Sequence, residues 1–246
     1  MTQMEPLAAV LLFSSLAALT ATLGSLPLAL GVPPSRQVIG WANALAGGLM
    51  IGVAYTLLHE GLGGALAAGG SGTLVGIVFV RATHTATGTG ELDLERPEGA
   101  GADYSYKALL VDSLHAADEG VAIGVAMVVS EPLGIAMAAA LAVHNVPEAM
   151  VLNSVLTSRG MKPSRSSFLS VVVNVNQVLL AIVTFTLVGL WPWLLPLVAG
   201  FAVGALIYRA LVELLPESYR QAGQTSIAVV TLLAIGVVVL LAGVAI

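Results

Sequence analysis

The chain has 246 residues, 57% of them hydrophobic and only 9% charged, with a formal net charge of −5 and a mean hydropathy of +0.95. A soluble domain carries about 25% charged residues, so this composition excludes one and describes a polytopic membrane protein. The acidic balance excludes nucleic acid as a partner, and the lack of cysteine excludes disulfides, thiolate metal sites and thiol nucleophiles.

Met1 to Pro6 contains Glu5 and no Lys or Arg, so the first apolar run reads as a retained helix rather than a cleaved signal. Runs long enough to cross a bilayer, at roughly 20 residues each, fall at 6–31, 38–60, 64–82, 106–130, 132–157, 167–190, 192–215 and 223–246. They predict an all-α integral membrane protein, with eight transmembrane helices in a single domain over 1–246. The third run is the weakest, because Gly69, Gly70 and Gly72 thin its start. Turn chemistry separates the others: Val32-Pro33-Pro34-Ser35-Arg36, Ser130-Glu131-Pro132, Arg159 to Arg165, and Trp191-Pro192-Trp193.

The basic residues orient these spans. Arg36 lies in the first connection, Arg81, Arg96 and Lys107 in or beside the third, Arg159, Lys162 and Arg165 in the fifth, and Arg220 in the seventh. Only Arg209 falls inside a span. The positive-inside rule then makes the odd connections cytoplasmic and puts both termini outside, with Trp191 and Trp193 at the outer interface. The long connection, a cytoplasmic linker over 83–105, is rich in Gly, Thr and acids and reads as a solvated tether. A metal-sensing role for His84 and those acids is the alternative.

Polar groups in the apolar runs need a reason, since a carboxylate at a helix centre costs on the order of 2.5–3.5 kcal/mol on insertion scales. Helix four carries Asp112, His115, Asp118 and Glu119, and helix five His144, Asn145 and Glu148. His115 with Glu119, and His144 with Glu148, are each four residues apart and share a helix face. Turned toward each other, the two faces make a four-ligand nitrogen and oxygen site for a divalent cation. Pro147 removes a backbone donor and frees the carbonyl near Val143. Helix six contributes Asn174, Asn176 and Gln177, helix two ends in His59-Glu60, and helix seven in Glu213-Leu214-Leu215-Pro216-Glu217. The plainer reading of such groups is interhelical hydrogen bonding, which weighs most for the neutral amides of helix six. Met127, Met137, Met150 and Met50 read first as packing residues, with Met50 kept as an additional metal candidate.

The stretch Asp112-Ser113-Leu114-His115-Ala116-Ala117-Asp118-Glu119-Gly120 through Gly124 resembles the helix-four motif of the ZIP (Zrt/Irt-like) divalent metal transporters. His144-Asn145-Val146-Pro147-Glu148 is similar to that family's helix-five motif, and Gly204-Ala205-Leu206 through Glu213 to Glu217 to its helix seven. Leu57-Leu58-His59-Glu60 is a looser match to the end of helix two. The chain departs from the family at Ala116, where Asn is usual, at Asp118, where Pro is usual, and at Asn176 (Gln177 if the register slips by one), where binuclear members carry Glu. The long connection also lacks the usual histidine cluster.

The resemblance implies a transport site between helices four and five, with the ion held by His115, Glu119, His144, Asn145 and Glu148. Asp112, Asp118, Asn176, Gln177, Met50, Glu213 and Glu217 are further ligand or relay candidates, Glu213 and Glu217 as an exit relay. The neutral amide on helix six predicts one tightly held ion. The implied activity is movement of a divalent ion toward the cytoplasm across the cell (plasma or inner) membrane. Zn²⁺ is the first choice and Fe²⁺, Mn²⁺, Co²⁺ and Cd²⁺ the others; a homodimer is the assembly considered. An intramembrane metal-dependent hydrolase and a metal-gated sensor are the rival readings. The hydrolase is disfavoured because the chain has no His-Glu-x-x-His motif and no Ser beside a cluster His except Ser113, on another face.

Overall fold

The computed structural model describes residues 5–62, 65–88 and 104–245, and every regular element among them is helical. In chain order the segments are α1 (Pro6–Ala29), α2 (Arg36–Gly61), α3 (Leu66–Thr87), α4 (Tyr104–Val129), α5 (Glu131–Ser158), α6 (Pro163–Leu190), α7 (Pro192–Ala222) and α8 (Gln224–Ala245). All but α4 are long and apolar enough to cross a membrane. α4 matches them in length, at 26 residues, but Asp112, Asp118 and Glu119 break its apolar run.

Several boundaries differ from the sequence expectation, each for a local reason. The linker expected over 83–105 is shorter, because α3 continues to Thr87 and ends on Gly88, whose φ of 67° provides the left-handed C-cap. Residues 89–103 of that linker lie outside the described residues. α1 is broken at Thr20 and Ser25 rather than forming one rod. The Thr20 hydroxyl donates to the Ala17 carbonyl and, at 2.7 Å, to the Ala142 carbonyl of α5, which anchors the break to a neighbour. α6 is interrupted at Asn174, and α7 runs on to Ala222 through a π-helical turn at Ala210–Leu214.

Helix starts obey capping chemistry. Ser35 accepts from the Val38 amide at the start of α2, and Ser130 from the Leu133 amide at the start of α5. α5 then passes through Pro147 without a break.

Small residues decide how closely the helices approach. A Cβ on Gly72 or Gly76 of α3 would lie 2.0 and 2.2 Å from the Leu197 and Phe201 carbonyl oxygens of α7. Reciprocally, one on Gly200 or Gly204 would lie 2.1 Å from the Gly69 and Thr73 oxygens. Gly72, one of the glycines that weaken α3 as an apolar run, is thus together with Gly76 what lets it pack backbone to backbone on α7. Gly120 of α4 meets the Gln177 backbone of α6 in the same way, at 2.2 Å. An apolar core of Met50, Val53, Leu57, Ile123, Leu133, Met137, Leu141 and Leu206 fills the space between α2, α4, α5 and α7, while Leu74, Leu232 and Leu240 point outward.

Candidate metal site

Near the middle of α4 and α5, Glu119 and His144 face each other, both fully buried. His144 Nε2 lies 3.0 Å from Glu119 Oε1 and 3.4 Å from Glu148 Oε2, one turn along α5. Glu119, His144 and Glu148 each offer one ligand atom, and the three atoms lie within 4.8 Å of one another. An imidazole nitrogen and two carboxylate oxygens suit Zn²⁺ and other first-row divalent ions.

A cation of the protein's own shares this cluster. Arg209 of α7, only 4% exposed, donates from Nη1 to Glu119 Oε1 at 3.0 Å and from Nη2 to Glu148 Oε1. The charges of the two ionised carboxylates and the guanidinium alone sum to −1. Charge-assisted pairing of this kind is what makes buried carboxylates tolerable away from water.

A second group lies one turn further along α4. His115 is buried and its ring centroid is 5.4 Å from that of His84 on α3. His84 Nε2 is 2.7 Å from Glu213 Oε1 on α7, and His84, His115 and Glu213 again present ligand atoms within 4.8 Å of one another. His115 and Glu119 share a stripe of α4, yet their side chains belong to different groups.

The other sequence candidates are distributed around these two. Asn145 is buried; its amide nitrogen donates to the Ala17 carbonyl at 2.8 Å and to Gln177 Oε1 at 2.9 Å, while its Oδ1 has no hydrogen-bond partner. Asn145 thereby ties α5 to both α1 and α6. Asn176 instead donates to Ser113 Oγ of α4 at 2.6 Å. Asp118 is buried, Asp112 is half-buried, and neither joins the two groups. Met50 sits in the apolar core. Glu217 pairs with Arg220 and Gln221 within its own helix. His59 pairs with its neighbour Glu60 at a more exposed position.

Sequence reasoning does not place Arg209 in a site, and it considers His84 only for metal sensing with the acids of the long connection, not beside His115 and Glu213. Arg209 carries a signal, as the one basic residue inside an apolar run, where an arginine needs an acidic partner. His84 carries a weaker one: its run loses aliphatic character at Arg81, yet α3 continues to Thr87.

These features define an integral membrane protein of apolar helices around a buried His/carboxylate group fit for a metal ion. A family model described as ZIP zinc transporter matches residues 81–246. The zinc transporter GufA of Myxococcus xanthus is 32% identical over 226 residues, covering 85% of this chain and 88% of that protein. A candidate zinc transporter of Arabidopsis thaliana is 29% identical over 228 residues, covering 89% of this chain, which spans 36% of the plant protein's length. The chain belongs to the ZIP zinc transporter family, a family of transporters rather than enzymes.

Proposed function

We propose that this protein carries a divalent metal ion, Zn²⁺ first, across the cell membrane toward the cytoplasm. Glu119, His144 and Glu148 hold the ion between α4 and α5, with Asn145 Oδ1 as an additional oxygen donor. The observation that carries this reading is the burial, at mid-helix, of an imidazole and two carboxylates with their ligand atoms within 4.8 Å of one another. Acids gathered at that depth exceed what helix packing needs.

In this reading α4 is the eighth span. Its 26 residues rise about 39 Å, more than the ~30 Å hydrocarbon core. Asp118 and Glu119 are turned into the protein, so they do not meet lipid. Both termini then lie outside, and the ends of α3 and α7 lie inside. His84, His115 and Glu213 form the next station toward the cytoplasm, about 6 Å along α4 from Glu119. Glu213 thus acts as a relay, while Glu217, held by Arg220, lies a turn beyond. Alternating access would expose the first site to each side in turn.

Radiozinc uptake into proteoliposomes tests the proposal. Saturable, protein-dependent accumulation that competes with unlabelled Cd²⁺ or Co²⁺ is expected. Binding of Zn²⁺ with no flux in either orientation would sink the transport reading and favour a sensor.

A further inference from the structure

Arg209 pairs with two of the proposed ligands, and none of the ligand chemistry uses it. We propose that Arg209 is a tethered counter-cation that competes with the metal ion for Glu119 and Glu148, and so sets the affinity and release of the transported ion. This rests on the reading of Glu119, His144 and Glu148 as the ligands.

The competition arises from shared atoms. The guanidinium donates to Glu119 Oε1, the same oxygen that lies 3.0 Å from His144 Nε2, and its other arm holds Glu148. An ion bridging His144 to Glu119 Oε1 meets the oxygen that the guanidinium engages, and at Glu148 it shares the carboxylate through the other oxygen, Oε2. Arg209, His144 and Glu119 are buried, so no water screens a divalent ion from a guanidinium at contact distance. The two cations therefore exclude each other. Arrival of the ion displaces Arg209, and return of Arg209 neutralises the carboxylates as the ion leaves.

α7 provides the hinge. Immediately after Arg209 comes the π-helical turn Ala210–Leu214, which holds one residue more than an α-turn. Shifting that extra residue along the helix rotates Arg209 relative to the C-terminal part of α7. Glu213, in the same turn, is the partner of His84 in the second group. The movement that withdraws Arg209 therefore also displaces a ligand of the next station.

The test uses purified full-length protein in nanodiscs, with Zn²⁺ affinity measured by competition against a chromophoric chelator. Arg209→Gln is expected to lower Kd about tenfold or more, because truncation removes the competing charge. Arg209→Lys should lower it less, since an ammonium is a point charge that cannot fork across two carboxylates. Zinc flux should slow in Arg209→Gln as release becomes limiting. Unchanged or weaker affinity in Arg209→Gln overturns the proposal; if that variant does not yield monodisperse folded protein, the same result in Arg209→Lys does so. Glu148→Gln separates the two readings. Wild-type affinity in Glu148→Gln means that the ligand assignment itself has failed, and this proposal with it. Weakened binding there, with no tightening on loss of Arg209, refutes the arginine proposal alone.

Discussion

The rings of His84 and His115 lie with centroids 5.4 Å apart and planes inclined by 48°, although 31 positions separate them in sequence (115 − 84). That contact joins the end of α3 to the face of α4 and, through Glu213, to α7. It makes a histidine beyond the apolar run part of a second group that could hold an ion.

The first prediction concerns that group. His84→Ala and Glu213→Gln should leave equilibrium Zn²⁺ binding close to normal, because Glu119, His144 and Glu148 remain. Transport should fall, since the ion loses its next station. Comparing binding isotherms with initial flux rates tests this; loss of binding equal to the loss of flux would show that the two groups do not act in succession.

His144→Ala and Glu148→Gln each remove a donor from the first group, and Glu148→Gln does so with volume preserved. Both should weaken metal binding at least about tenfold, by analogy with the cost of disturbing metal-site shells. Zn²⁺ at a hundredfold excess over Kd should stabilise the parent protein by about 2.7 kcal/mol, and chelation should remove that increment. Thermal melts with and without chelator would reveal it. Near-normal metal response in both folded variants would rule out the assignment.

Asn145 and Asn176 give a contrast in structural cost. Asn145 is fully buried and bonds to two other helices, whereas Asn176 is half-buried and bonds to Ser113 alone. Asn145→Ala should destabilise the protein by about 1–2 kcal/mol and Asn176→Ala by less. Melting temperatures in one detergent decide between them, and equal shifts would contradict the bonding pattern.

The glycine interlock of α3 and α7 predicts a position-specific penalty. In Gly204→Ala the added methyl would sit 2.1 Å from the Thr73 oxygen, so the helices must separate. Gly70→Ala meets nothing within 4 Å. Melting temperature should drop clearly for Gly204→Ala and stay level or rise slightly for Gly70→Ala. A drop of similar size in both would show that the α3–α7 interlock does not set the penalty.

Much of the architecture is legible in the residues alone. Hydrocarbon leaves the backbone no hydrogen-bond partner outside itself, so apolar runs of sufficient length must become helices. The runs read from the sequence accordingly reappear as helical segments, with their ends moved by capping and by neighbours. The i,i+4 placement of His144 and Glu148 is equally local, because it depends only on the helical repeat. Which side chains meet across helices depends on rotation and axial offset, which packing alone decides. His115 and Glu119 share one stripe of α4, yet α3 draws His115 to His84 while α5 and α7 draw Glu119 to His144 and Arg209. Arg209 is visible as an anomaly in its run, but its two carboxylate partners lie 61 and 90 positions away in sequence. Only the packing of α7 beside α4 and α5 brings them together, and no periodicity within a single helix encodes that.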